Sequence, residues 1–297
     1  MRLLHTDTLE LHYFPRDAPP YAILSHTWET EELSLQEIGP KSKGTRGYKK
    51  IAMAAATARA DNLDYIWVDT CCIDKTSSAE LSEAINSMFQ WYQNASVCYA
   101  YLFDVVPNHH DSVASINPRV RESKWFTRGW TLQELIAPSD VIFYAQDWTE
   151  LGTKSSLRTV ISQITRIPEL VLLGKSIKDY SIAQRMSWAS QRKTTRTEDM
   201  AYCLMGLFEI TMPMLYGEGM QAFIRLQEEI MKKSDDQTLF AWTSAALSVQ
   251  YRFGCGLLAP VPRFFETCAG ITTFAMTNKG LSIRLPKLAT GLLKEHP

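Results

Sequence analysis

Asp64-Tyr65-Ile66-Trp67-Val68-Asp69-Thr70-Cys71-Cys72-Ile73-Asp74-Lys75 reads as a buried strand ending on a carboxylate, and what surrounds it decides the fold. Tyr65 to Val68 is β-branched and aromatic, as a buried strand should be. Ser77 and Glu80 then stand at capping-box spacing. Leu81, Ala84, Ile85, Met88, Phe89 and Tyr92 follow at helical period. Working outward, Tyr21 to Ser25 is a second short apolar run, ending in Ser25 and His26. Residues 48–61 form an alanine-rich helix, and Val97 to Phe103 and Val141 to Tyr144 are further strands. A short helix runs from Thr127 to Ala137 and stops at Pro138. Residues 107–124, with Pro107 and Pro118, read as a loop. Strands alternating with helices predict an α/β unit with a mainly parallel sheet. Such sheets bind ligands beyond the carboxyl ends of their strands, where Ser25, His26 and Asp69 stand.

The rest of the chain has a different texture. Residues 151–240 read as mostly helical, with Thr195 and Glu198 as a second capping box. Met220, Phe223, Ile224, Ile230 and Met231 mark a late helix. After Phe240, glycines and prolines punctuate short apolar runs, and Leu281 to Leu285 alternates as a strand does. The expected organisation is an α/β core over 1–150, a helical part over 151–240 and a β-rich extension over 241–297, in what is expected to be a fragment of a longer receptor.

Composition narrows the function. Of the 297 residues 45% are hydrophobic and 21% charged, a globular balance. A formal net charge of −1 supplies no field that recruits nucleic acid or acidic membranes. No apolar run is long enough to span a bilayer. The start turns polar too early for a signal peptide, so a cytoplasmic protein is expected. Cysteines at 71, 72, 98, 203, 255 and 268 include no C-x-x-C pair, which argues against zinc. Cys98 and Cys203 sit in apolar runs and read as core.

Trp125-Phe126-Thr127-Arg128-Gly129-Trp130-Thr131-Leu132-Gln133-Glu134-Leu135 is the most informative segment for chemistry. Successive helical residues turn by roughly 100°, so Leu132, Leu135 and Ile136 share a face turned to the sheet. Trp130 and Glu134, four apart, share the other. One reading makes them a ligand-stacking pair; the other covers Trp130 with a neighbouring element and pairs Glu134 with Arg128 or another cation. Spacing alone leaves both open. In Tyr21-Ala22-Ile23-Leu24-Ser25-His26-Thr27-Trp28, Ser25 and His26 are placed to hydrogen-bond a ligand and Trp28 to cover it. Their bland alternative is turn capping and satisfied carbonyls. His26, Asp69 and Cys71 raise a cysteine-nucleophile reading, but no glycine-framed nucleophile elbow surrounds either cysteine. Asp69 and Asp74 alone under-ligate a metal.

These segments together resemble the heterokaryon-incompatibility (HET) domain of fungi. The blocks that carry the resemblance are SHTW at 25–28, DYIWVDTCCIDK at 64–75, WFTRGWTLQEL at 125–135 and the stretch from Arg185 to Ile230. The resemblance implies a fungal source and a part in cell death after non-self recognition, with receptor domains or a recognition partner. A second resemblance is to TIR domains, through a first strand with a Ser/His-type end and the W-x-x-x-E pattern of Trp130 and Glu134. It implies a TIR-like sheet, self-association as the activating step, and cleavage of NAD at the nicotinamide–ribose bond. Glu134 is then the catalytic carboxylate, and Ser25, His26, Trp28, Asp69, Arg128 and Trp130 contact the substrate. NAD enters as substrate and no cofactor is expected. The absence of a G-x-G-x-x-G loop disfavours Rossmann-type redox use of it.

Overall fold

Seven short strands and their flanking helices hold the site, and most lie where the hydrophobic pattern put them. The computed structural model describes residues 1–39, 42–107, 113–243, 256–272, 275–277 and 280–282. In chain order the elements are β1 (Arg2–His5), β2 (Leu11–Tyr13), β3 (Ala22–His26), α1 (Arg46–Ala60), β4 (Tyr65–Trp67), α2 (Ser78–Asn94), β5 (Val97–Tyr101), α3 (Val113–Glu122), α4 (Thr131–Ile136), β6 (Val141–Tyr144) and β7 (Glu150–Thr153). Then come α5 (Arg158–Thr165), α6 (Glu169–Leu172), α7 (Ile182–Ser187), α8 (Asp199–Tyr202), α9 (Gln221–Lys233), β8 (Ala275–Thr277) and β9 (Gly280–Ser282).

The four strands expected from the sequence are neighbours, in the order β4-β3-β5-β6, and all pair in parallel. The sheet as a whole is mixed rather than mainly parallel. It runs β2-β1-β4-β3-β5-β6-β7, and its outer pairings are antiparallel. β2 and β7 are each reached by a short turn from the preceding strand, and a short turn permits only an antiparallel neighbour. These edges escaped the pattern because β1 and β2 are very short. β7 carries Gly152 at φ 133°, a residue poor in strand propensity.

Capping explains where the main helices begin. Thr45 accepts the Tyr48 amide at 3.2 Å and starts α1. Ser77 accepts the Glu80 amide at 3.3 Å and starts α2, but Glu80 does not return the bond. Its carboxylate takes Arg2 and the Asp74 amide instead. The second expected capping box does not form: Glu198 accepts the amides of Gly217 and Gly219 at 2.8 and 3.0 Å. Residues 113–122, expected as loop, are α3, with Pro118 inside it. The helix expected over Thr127–Ala137 is split into a 3₁₀ turn at Lys124–Thr127 and the six-residue α4.

One apolar core runs from Leu3 and Leu4 of β1 to Phe264, Phe265 and Cys268. The 3₁₀ turns at Pro262–Phe265 and Cys268–Gly270 pack on α7. The strand expected over Leu281–Leu285 is present as far as Ser282; Ile283 to Leu285 lie outside the described residues. Among the described residues no helix is long and apolar enough to cross a membrane.

Candidate functional site

Taken in chain order, the four parallel strands lie second, first, third, fourth across the sheet. In doubly wound sheets the connections reverse direction between the first and third strands, and ligands bind beyond the carboxyl ends there. Here that point is the end of β3 beside β5, where Ser25 and His26 stand. Alternation along a strand sends two successive side chains to opposite faces. Ser25 accordingly meets α4, and His26 meets α1.

On the α4 face, Ser25 donates its hydroxyl hydrogen to Glu134 Oε2. It accepts the indole N–H of Trp125 at 2.8 Å. A hydroxyl has one hydrogen to give, so Ser25 is committed and fixes the carboxyl against the strand end. Tyr92 of α2 closes the same face, donating to Leu24 O at 3.1 Å. Glu134 is 7% exposed. Burial pushes its carboxyl up to about 8, and the charge of Asp69 adds to that. The Ser25 hydrogen bond and the charges of Arg128 and Arg192 act the other way without cancelling it.

On the α1 face a second chain of polar groups runs to the surface. Lys50 donates to Glu32 Oε1 at 2.5 Å and to His26 Nδ1 at 2.8 Å. Since an ammonium only donates, Nδ1 accepts, and Nε2 carries the proton toward Asp69 Oδ1 at 2.9 Å. Trp28 gives its indole N–H to Asp69 Oδ2 at 2.7 Å, and the Lys75 ammonium stands 3.7 Å over the Trp28 ring. Burial alone would raise the Asp69 carboxyl. The hydrogen bond from His26, the charge of Lys75 and the Trp28 N–H outweigh it and hold Asp69 at about 2.

Four polar atoms close to these groups in the chain are buried with no hydrogen-bond partner among the described residues. They are Thr27 Oγ1 just past β3, Thr70 Oγ1 just past β4, Glu32 Oε2 and Gln133 Nε2. Buried polar groups are normally paired, so these four are unmet hydrogen-bonding groups enclosed beside the strand ends. Trp28 is 48% exposed at the same strand end and offers an aromatic surface.

The structure thus brings Ser25 to Glu134, and His26 and Trp28 to Asp69. It does not bring Trp130 or Arg128 to them. Trp130 turns its indole to the half-buried carboxylate of Asp199, at the start of α8. Arg128 reaches Thr195 Oγ1 at 3.5 Å and makes no ion pair with Glu134. The helical wheel misplaced Glu134 because it assumed one buried face. α4 is packed between β3, α2 and the 3₁₀ turn before it, and Thr131 to Leu135 are all buried. Glu134 therefore points inward, to Ser25, away from Trp130. The cysteine reading fails on chemistry. The hydrogen bond from Cys72, burial, and the nearby acid hold the Cys71 thiol well above its usual range, so the thiolate is suppressed.

Trp125, Tyr92, Glu32 and Lys50 belong to the site and were not singled out by the sequence. Lys50 did leave a signal. It shares a helical face with Ala54 and Ala58, both fully buried, and a lysine in an apolar stripe needs partners.

Residues 21–118 match the heterokaryon incompatibility protein (HET) family, and this chain carries a HET domain. Over 220 residues it is 47% identical to the vegetative incompatibility protein HET-E-1 of Podospora anserina, a stretch that covers 72% of this chain and 16% of that relative. Ser25, His26, Trp28, Lys50 and Asp69 lie within the matched HET segment; Trp125 and Glu134 lie beyond it. Residues 221–254 match a second family, described as a domain of unknown function (DUF8212). No solved structure matches the chain.

Proposed function

We propose that this chain is the effector module of a fungal incompatibility cell-death response, and that it acts as a TIR-like glycohydrolase on NAD. The observation that carries the reading is the carboxyl of Glu134, held on Ser25 at the carboxyl end of β3 with Trp28 exposed nearby. The reaction is NAD plus water to nicotinamide, ADP-ribose and a proton. The bond between ribose C1′ and the pyridine nitrogen breaks, and its electron pair leaves on nicotinamide. Water forms the new C1′–O bond and releases a proton to solvent. The transition state resembles an oxocarbenium ion, and a fixed carboxylate stabilises it electrostatically. Nicotinamide leaves neutral, so no general acid is needed.

Glu134 is largely protonated at neutral pH in the free protein, since burial sets it at about 8. A cationic pyridinium ring entering the site favours the ionised form and expels the proton. The kcat/KM for NAD therefore rises as pH climbs through about 8, while kcat at saturating NAD follows the lower value of the complex. Self-association is the activating step, and recognition of non-self belongs to parts of a longer protein, of which this chain matches a small share. The test is incubation of the purified chain with NAD and chromatography of the products, at increasing protein concentration, for wild type and Glu134→Gln. Wild-type release of nicotinamide that climbs faster than protein concentration supports the reading. No release from cross-linked, folded wild type removes the enzyme.

A second reading, a non-catalytic death-signalling and oligomerisation module, is favoured by one observation. Glu134 is enclosed and already hydrogen-bonded to Ser25, as a structural buried carboxyl would be. Killing by a folded, cleavage-dead variant decides for it.

A further inference from the structure

A cavity of about 330 Å³ opens between the end of α3, the 3₁₀ turn at Lys124–Thr127, the end of α5 and the segment after α7. Three arginines, Arg121, Arg166 and Arg192, line it, and no carboxylate does. Such a set needs an explanation in a chain whose formal net charge is −1.

The three guanidiniums are unequally satisfied. Arg166 pairs with Glu266 at 3.5 Å and gives Nη1 to the Glu266 carbonyl at 3.0 Å. Arg121 gives Nη2 to the neutral side-chain oxygen of Gln163. Arg192 makes no ion pair among the described residues. Its Nε donates to Trp188 O at 3.3 Å, and Nη1 donates to Arg128 O at 2.8 Å and Thr131 Oγ1 at 2.9 Å. Its Nη2 is buried with no partner among the described residues. Burial lowers the Arg192 guanidinium to about 10, the mark of a charge whose solvation has not been replaced.

Cations are favoured near the carbonyl ends of helices, and α5 and α7 both end here. That accounts for Arg166, which is the C-cap of α5. It leaves unexplained the charge of Arg121, which has no ion pair among the described residues, that of Arg192, whose field reaches Glu134 without an ion pair, and a buried donor with no partner among the described residues. The hydroxyls of Thr127, Thr165 and Ser190 on the same wall are turned to backbone carbonyls, so the donors are the arginines. Guanidinium forks match the geometry of oxyanions, phosphate above all. The volume admits a phosphate or pyrophosphate group.

We propose that this cavity is a binding site for a compact oxyanion of the phosphate class, free or carried on a nucleotide, held by Arg121, Arg166 and Arg192. The site stands apart from the NAD-cleavage reading and survives its failure.

The 297-residue chain is titrated with inorganic phosphate, inorganic pyrophosphate and ADP at constant ionic strength, by calorimetry and by thermal melting. Saturable binding is expected, with a melting temperature raised by roughly 4 °C at a hundredfold excess over Kd. Arg121→Gln and Arg166→Gln lie at the exposed rim. Each is expected to weaken binding about tenfold or more while melting like wild type without ligand. Arg192→Lys keeps the charge, loses the fork, and is expected to weaken binding further. ADP binding tighter than pyrophosphate identifies a nucleotide-borne anion; equal or weaker binding identifies the free anion; either supports the site. No saturable binding of any of the three overturns it. So does undiminished binding by the Arg121→Gln, Arg166→Gln double variant, or an equal melting shift from sodium chloride.

Discussion

Ser25 and His26 are adjacent, yet the two carboxyls they touch are pushed in opposite directions. Glu134, on the α4 face, is enclosed and raised to about 8. Asp69, on the α1 face, is gripped by His26, Trp28 and Lys75 and held at about 2. Two acids at one strand end, one kept protonated and one kept ionised, are the pattern by which a site separates roles between like groups. The difference comes from the partners. Glu134 meets only neutral hydroxyls, those of Ser25 and Tyr92, while Asp69 receives two N–H donors and lies near an ammonium.

The largest expected effect is on Glu134. Glu134→Gln keeps size and hydrogen-bonding reach and removes the ionisable charge. NAD cleavage, if it depends on that charge, falls on the order of 10²–10³ in rate, read as nicotinamide release. Melting should be unchanged below pH 5 and higher than wild type at pH 8. Retained cleavage by the variant takes Glu134 out of the mechanism.

The stability-versus-pH profile comes next and tests the contrast without any substrate. Glu134 is raised in the fold, so between its ordinary carboxylate range and about 8 the folded state holds a proton the unfolded state has lost. Its contribution to stability is complete at about pH 4 and is lost as pH rises through about 8. The slope is at most about 1.4 kcal/mol per pH unit. Asp69 is depressed, so its contribution is present above its ordinary pKa of about 3.9 and is lost as pH falls through about 2. Denaturant melts from pH 2 to 9 should show the alkaline slope vanish in Glu134→Gln and part of the acid slope vanish in Asp69→Asn. A wild-type profile flat from pH 5 to 8 would mean that Glu134 is solvated.

Ser25→Ala asks whether the hydroxyl matters as a partner. It leaves the Trp125 indole and the Glu134 carboxyl each short of a hydrogen bond, for a loss of about 1–3 kcal/mol. It should also carry the pH optimum of any cleavage upward, because a bond that lowers Glu134 is gone. A loss of activity with the optimum unmoved contradicts that link.

The smallest effects belong to the tryptophans outside the Ser25 cluster. Trp28→Ala removes a half-exposed ring and one donor to Asp69. It should change stability by roughly 1 kcal/mol and show itself as a raised KM for NAD at nearly constant kcat. Trp130→Phe deletes the donor to Asp199, for about 1 kcal/mol or less, and leaves cleavage untouched, since that indole faces α8. A large kcat loss in Trp130→Phe would restore the pairing with Glu134 that the wheel implied.

The chain's own residues determined the parallel core. β-branched and aromatic runs at 21–26, 65–68, 97–101 and 141–144 can bury themselves as strands, and the helical periods between them force crossovers. That alone put Ser25, His26 and Asp69 at strand ends. Tertiary structure decided the edges, because strands of three or four residues carry too little periodicity to be read. It also decided which way Glu134 points. A helix of six residues has no free face once β3 and α2 pack on it, so its wheel could not say which side is the inside. Likewise no spacing reveals that Trp125 donates to a serine 100 residues earlier, or that Lys50 reaches His26 and Glu32. Those contacts are set by the packing of separate layers onto one sheet. The protonation of Glu134 and Asp69 follows from the same packing, since it depends on how much water each keeps and which donors replace it.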